Sequence, residues 1–361
     1  MIANRRTFGS RRALLLVGST LLSLAFAYLA VRRVDLAAFS RALRQTDYVW
    51  LVPALGALAV AVAVRGLRWQ LLFRRDRRPA VRPVMSAMLI GYLLNNVLPF
   101  RAGEAARIVA LNQRAGTSRA ETLGTVITER VYDVAGLLVV LFAAYPFLPS
   151  GGWTRRAALF TLVFGVVLVA VVLVLVLFRD RPVRFVLRPL ARLPWFSTRR
   201  MERAAESLHE GLAAFVDPRV AAIPFVLTVA SWLVLGLSFW LVMVAFHLGL
   251  GFDAALLVVV ATNLAMLVPA GPAAIGVFEA ATVYALADFG IGASTALSYA
   301  VVLHALNVIP LVAAGYVALQ RHALRLGRAS GRGRLTGVAE AGRPAAAERV
   351  EEEPAVGDRV R

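Results

Sequence analysis

Cysteine and lysine are both absent from this 361-residue chain, and charged residues make up only 17% of it. The missing cysteine excludes a disulfide framework, a thiolate metal site and a thiol nucleophile. The low charge excludes an ordinary soluble domain, in which about a quarter of residues are charged. All 40 basic residues are arginine, which, with abundant Ala, Val, Leu and Gly, reflects a GC-rich coding bias. The formal net charge of +19 would suit nucleic acid. The arginines, however, gather at the ends of apolar runs, where membrane topology places them, so no nucleic-acid partner is expected. The four histidines are scattered and no carboxylate spacing resembles a metal site. No cofactor is implied, and there is neither a nucleophile–His–acid arrangement nor a phosphate-cradling glycine loop.

What the chain has instead is hydrophobic length: 59% of residues are hydrophobic. Runs 13–31, 157–178 and 223–246 carry no internal charge and reach the roughly 20 residues a helix needs to cross a bilayer core. The start, MIANRRTFGSRR before an apolar run, resembles a signal peptide, but VRRVDLAAF follows instead of a small-residue cleavage site. A retained first helix is expected.

Cytoplasmic flanks collect arginine, and segments 1–12, 65–82, 179–203 and 321–334 are dense in it. Placing all four inside requires an even number of crossings between each pair. Arg32, Arg33, Arg41 and Arg44 on the first outer loop run against this rule, yet the parity works there. Elsewhere it works only if 84–98 and 254–268 do not cross. Each is 15 residues long, about 22 Å of helix against a core of roughly 30 Å. The expected fold is an all-α integral membrane protein of the cytoplasmic membrane, a polytopic helical bundle with both termini inside. It has about six full spans plus two re-entrant broken-helix hairpins, near 84–113 and 254–287, dipping from opposite faces as an inverted repeat. Residues 1–12 form a basic cytoplasmic N-terminus and 13–320 the transmembrane domain. Within it, 179–218 is a basic cytoplasmic segment whose arginines interleave with Phe, Leu and Trp195 and suit an anionic lipid surface. Residues 321–361 read as a disordered cytoplasmic tail.

Each hairpin pairs a short inbound arm with a break and a return arm carrying a glutamate. The first breaks at Pro99 and Gly103 and returns with Glu104; the second breaks at Pro269, Gly271, Pro272 and Gly276 and returns with Glu279. Proline removes a backbone donor, and glycine permits the reversal. Irregular backbone at membrane depth survives only inside protein or around a wet cavity, and paired broken segments point to a transporter binding site. The return-arm helix starts direct free amides toward the protein centre. Beside them Arg101 and Arg107 could hold a lipid phosphate, or Arg107 could pair with Glu104 on its own helix. Asn95 and Asn96 satisfy broken backbone groups or line the cavity. Glu129, Arg130 and Asp133 stand within five residues of a span, where each charge costs roughly 2.5–3.5 kcal/mol. They must face a cavity or partners: Arg101 or Arg107 for the acids, Glu104 for Arg130. His304, three residues from Asn307 in the final span, is a further candidate.

Together P-x-R-x-G-E-x-x-R (Pro99, Arg101, Gly103, Glu104, Arg107), E-R-x-x-D (Glu129, Arg130, Asp133) and P-x-x-x-G-x-x-E (Pro272, Gly276, Glu279) resemble a known family. It is the lysylphosphatidylglycerol synthase transmembrane region, or flippase-like domain family, and the likeness covers about residues 10–320. It implies translocation without synthesis, because nothing resembling the cytosolic aminoacyl-transfer domain of some members follows the last span. Two departures stand out: Ala273-Ala274 where the family typically has a glycine pair, and His304 where an arginine is usual nearby.

The leading expectation is a non-enzymatic protein that flips a phospholipid, aminoacyl-lipid or glycolipid through a central polar cavity. Its partners would be membrane lipids with an anionic or phosphate-bearing head group, with room for a homo-oligomer or a partner lipid-synthesis enzyme. The alternatives are a membrane-embedded transferase acting on a lipid-linked substrate and an accessory subunit of a cell-envelope lipid pathway.

Overall fold

The computed structural model describes residues 24–25, 27–28, 31, 34–98, 102–147, 159, 163, 165–167, 218–266 and 271–341. Most of the expected spans 13–31 and 157–178 lies outside them, as do segments 1–12 and 179–217 and the break residues Pro99, Arg101 and Pro269. The chain forms two compact units, Met1–Ala318 and Leu319–Arg361. The contacts below belong to the first.

All regular elements among the described residues are helical. A short amphipathic helix, α1 (Leu36–Arg44), is capped by Asp35, whose carboxylate accepts from Ala37 N at 2.8 Å. A 3₁₀ turn capped by Asp47 then leads into α2 (Leu51–Leu71). A hairpin follows, α3 (Val81–Val97) and α4 (Gly103–Ala115), then α5 (Arg119–Ala144) and α6 (Pro218–Ala245). A second hairpin, α7 (Phe252–Ala265) and α8 (Val277–Ala287), precedes α9 (Ala293–Ala341).

Segments Tyr48–Leu71, Ala221–Ala245 and Ala293–Leu324 are long and apolar enough to cross a bilayer, with mean hydropathies of 1.9, 2.2 and 1.9. Their outward faces are apolar too, with Val52 and Val60 on α2, Ile223 and Val226 on α6, and Ile309 and Tyr316 on α9 all exposed. A surface of this kind has lipid, not water, as its solvent. At 26 residues and about 39 Å, α5 is also long enough, but its charged side chains break the apolar run.

Side-chain pairings fix the direction of each helix. Ser238 Oγ donates to Ala54 O at 2.8 Å and Arg68 reaches Thr228, so α2 and α6 run antiparallel. Gly136 lies against Thr228 and Trp232 while Tyr132 donates to Ala221 O, so α5 runs parallel to α6. The end of the bundle where α2 finishes carries Arg74, Arg75, Arg77, Arg78 and Arg82. From this basic end α3 departs, α4 returns, and α5 sets out. The other end, where α6 finishes, starts α7, receives α8 and starts α9. There Asp35 N donates to Ser294 Oγ at 3.0 Å, docking α1 beside the start of α9.

Each hairpin therefore returns to the end from which it began. The arms hold 17, 13, 14 and 11 residues, each shorter than the roughly 30 Å apolar core at 1.5 Å per residue. Inside the bundle the 3₁₀ turn Pro272–Ala274 of the second hairpin packs against α3 of the first. In the first hairpin the arms cross closely, Gly91 facing Gly103 and Arg107. A Cβ on Gly103 would overlap Gly91 O and the Asn95 side chain, so glycine is required. In the second, Ala273 and Ala274 have φ of 53° and 54° and Gly276 has φ of 85°. The alanines occupy a left-handed conformation that costs L-residues about 1–2 kcal/mol each.

Two boundaries differ from the sequence-based expectation. Helix α2 continues through the start of the arginine-dense segment to Leu71, because Arg68 finds charge partners inside the protein and Arg65 stacks on Trp232, so neither is a flanking charge. Helix α9 continues to Ala341, through residues 321–341 expected to be disordered; Ala, Leu and Arg are strong helix formers. Residues 342–361 lie outside the described chain.

Two stability measurements in detergent test this architecture. Gly103→Val should destabilise the protein by about 1–3 kcal/mol, while Gly56→Ala, which meets nothing within 4 Å, should not; equal melting of both variants would disprove the crossing. Ala273→Gly and Ala274→Gly should each raise stability by about 1 kcal/mol by relieving left-handed strain, and a loss of stability would contradict the turn.

Candidate functional site

Four helices converge on a charge network inside the bundle. Arg68, on the last turn of α2, is 0% exposed. It donates to Asp133 Oδ1 at 2.6 Å, to Thr228 Oγ1 at 3.0 Å and to Glu129 Oε1 at 3.0 Å. From α4, Arg107 stands 2.9 Å from Glu129 Oε2 and 2.8 Å from Glu104 Oε2, its guanidinium 4.8 Å above the Trp69 ring. Glu129, 4% exposed, is thus clamped between two guanidinium groups. Arg130 pairs with Glu104 and lies 3.5 Å from Asp133 Oδ2. Spacing explains the convergence, since Glu129 and Asp133 are one turn apart on one face of α5, as Glu104 and Arg107 are on α4.

The two halves of this network are made differently. Arg68 is held by directed hydrogen bonds. The Arg107 contacts are ionic without hydrogen-bond alignment, so Arg107 Nη2, Glu104 Oε2 and Glu129 Oε2 have charge partners but no hydrogen-bond partner among the described residues. Three guanidinium groups face three carboxylates, and the set is electrically balanced.

A second, smaller network closes the other hairpin. Glu279 Oε2 accepts from Gly276 N at 2.6 Å, capping the start of α8. Its Oε1 lies 2.5 Å from His304 Nδ1, and His304 Nε2 lies 3.0 Å from Ala273 O. A carbonyl only accepts, so Nε2 carries a hydrogen, and one further proton lies between Nδ1 and Oε1. The pair is neutral whichever atom holds that proton. Phe278 stacks on the imidazole at 4.5 Å, fixing the ring.

Between the second turn and α3 lies a cavity of about 150 Å³, walled mainly by apolar residues such as Leu58, Val62, Leu235, Phe239 and Leu311 and set with several polar groups. Arg65 of α2, Tyr92 and Asn96 of α3, Thr262 and Asn263 of α7, and His304 and Asn307 of α9 line it. On the other face of the second turn is an apolar hollow of about 330 Å³, bounded by Val31, Phe39, Ile275, Gly276, Leu297 and Val301, with Glu279 at its edge.

Of the residues singled out from sequence, Glu104, Arg107, Glu129, Arg130 and Asp133 come together, as do Glu279 and His304. Asn96 lines the cavity and donates to Tyr92 O. Asn95 instead sits at the glycine crossing, its buried Oδ1 without a hydrogen-bond partner among the described residues. Gly271, Pro272 and Gly276 shape the second turn. Arg68, Trp69, Thr228, Arg65 and Asn263 were not foreseen. The available signal was an Arg-x-x-Arg-Trp step directly after an apolar run, where one helical turn separates two charges and an indole is ready to cover one of them.

A family model described as the lysylphosphatidylglycerol synthase TM region matches residues 15–315. The chain is 26% identical over 276 residues to a UPF0104 membrane protein of Methanothermobacter thermautotrophicus, covering 73% of this chain and 80% of that one. A UPF0104 membrane protein of Methanocaldococcus jannaschii is 21% identical over 226 residues, 62% of this chain and 92% of the relative. The two hairpins and the charge network that the first of them helps to close are thus carried by a chain that belongs to the lysylphosphatidylglycerol synthase TM region family of membrane proteins.

Proposed function

We propose that this protein translocates a lipid across the membrane, the head group passing through the cavity between the second turn and α3 while the acyl chains stay in or beside the bilayer. The observation that carries this reading is the cavity itself, framed by two broken hairpins that meet from opposite ends of the bundle, with a balanced charge network at its flank. The arginine and three asparagines set in its otherwise mainly apolar wall give a head group hydrogen-bond partners in place of water. The apolar hollow behind the second turn suits an acyl chain.

In this reading both hairpins re-enter the membrane, the first from the cytoplasm and the second from outside, and both ends of the chain are cytoplasmic. Arg68 anchors the network, and the ionic, exchangeable contacts of Arg107 let the first hairpin shift against it. The neutral Glu279–His304 pair holds the second turn. A transferase would need an acid or base exposed to substrate, whereas the acids here are engaged by arginine, histidine or a helix cap. In this reading the lipid is moved chemically unchanged.

Two experiments test this. In proteoliposomes carrying a fluorescent phospholipid, dithionite should bleach the inner-leaflet probe rapidly with the wild-type protein. Glu129→Gln should slow that rate by roughly tenfold or more, eluting as a folded monodisperse species with a lowered melting temperature; an unchanged rate would remove the network from the mechanism. The cysteine-free chain also permits direct topology mapping. Single cysteines replacing Arg75 and Ser118 should react with an impermeant maleimide only after permeabilisation, and one replacing Ala287 should react in intact cells. Labelling of Ser118→Cys from outside would refute the re-entrant arrangement.

A further inference from the structure

Among the described residues, every charge around the cavity is compensated except one. The six-member network balances itself, and Glu279 shares a proton with His304. Arg65 lines the cavity with no carboxylate paired to it among the described residues. One face of its guanidinium is stacked on Trp232 at 4.3 Å, which orients the group. Its Nε and Nη2 are buried without a hydrogen-bond partner among the described residues. An oriented, unpaired guanidinium in a low-dielectric site is a binding group for a planar or tetrahedral oxyanion.

The asparagines add a second constraint. Asn96, Asn263 and Asn307 each spend an amide N–H on a carbonyl of their own helix: Tyr92 O at 2.9 Å, Val259 O at 2.8 Å and Leu303 O at 2.9 Å. Because those partners only accept, the nitrogens are assigned, and each asparagine is left with a side-chain carbonyl able to accept from a ligand. The lining therefore combines one fixed positive charge with neutral amides, each keeping one N–H donor and its carbonyl acceptor, and no free carboxylate among the described residues to meet an ammonium. The 150 Å³ cavity corresponds to roughly five waters at about 30 Å³ each, the scale of a phosphate with a small polyol.

We propose that the cargo is a singly anionic phosphodiester lipid whose head group carries hydroxyls and no amine, with Arg65 binding the phosphate and the three asparagines accepting from the hydroxyls. This rests on the translocation reading and narrows it. An aminoacyl or ethanolamine head group would place an ammonium beside Arg65 with nothing to neutralise it, leaving the loaded cavity with a net positive charge. A glycerol-type phosphodiester leaves it neutral.

The experiment compares two probes differing only in head group, fluorescent phosphatidylglycerol and fluorescent phosphatidylethanolamine, in the dithionite assay. Wild-type protein should move the glycerol lipid roughly tenfold faster. Arg65→Gln should bring the ratio of the two rates to about one, and Arg65→Lys should retain part of the preference. Equal wild-type rates, or a ratio unaltered by Arg65→Gln, overturn the proposal while leaving translocation standing. Movement of neither lipid removes the translocation reading instead. A binding arm then decides on Arg65: detergent-solubilised protein should be thermally stabilised by phosphatidylglycerol more than by phosphatidylethanolamine or inorganic phosphate, and the difference should vanish in Arg65→Gln. Equal stabilisation by inorganic phosphate alone would assign the site to free phosphate and overturn the lipid proposal. If Arg65→Gln does not fold, Asn263→Leu serves in both arms, with loss of the glycerol-lipid preference expected and its retention counting against the proposal.

Discussion

Glu129 gripped from two sides is the contact on which the rest of the bundle depends. One oxygen meets Arg68 of α2 and the other Arg107 of α4, so a single carboxylate on α5 ties a full-length helix to an arm of the first hairpin. Thr228 of α6 joins through Arg68. Removing one partner of such a buried set typically costs 3–5 kcal/mol, because the others remain charged in a low-dielectric interior. The same penalty gives the arrangement its specificity: a helix register that separated Glu129 from either arginine would strand an ion in hydrocarbon. The network fixes how α2, α4, α5 and α6 face one another, and thereby where the cavity opens.

The two hairpins solve the same backbone problem with different chemistry. The first is stitched by charge and by a glycine contact so close that no side chain fits between its arms. The second is closed by a neutral hydrogen-bonded pair and by a turn that forces two alanines into left-handed backbone. Where the family resemblance led to an expectation of glycines, the alanines retain the geometry at a cost in strain. His304 compensates by holding Ala273 O and Glu279 together across the turn.

Much of this was legible in the chain. Element type followed from apolar run length, and the hairpins from two arms too short to cross, each followed by Pro and Gly. The pairings of Glu104 with Arg130 and of Arg107 with Glu129 followed from the rule that charges in a span must find partners. Arg68 escaped because apolar continuity was used to end α2, whereas the helix runs on for as long as its charges have counterparts. Those counterparts lie 61 and 65 residues away in sequence, and no local pattern reports a contact at that separation. Arg65 escaped for the opposite reason: it has no carboxylate counterpart among the described residues, and an arginine beside an apolar run resembles an ordinary flank until its stacking on Trp232 is seen.

The equality of three cations and three anions in the network has an electrical consequence. A charge displaced through the membrane field exchanges about 2.3 kcal/mol per 100 mV, so a cluster with net charge would be pushed or held by the resting potential whenever the hairpins moved. A neutral cluster travels as a dipolar block on which voltage has little purchase. Among the described residues the charge outside this balance is the Arg65 guanidinium facing the cavity, and in the proposed mechanism it would feel the membrane potential when the cavity is empty and be cancelled when an anion sits against it.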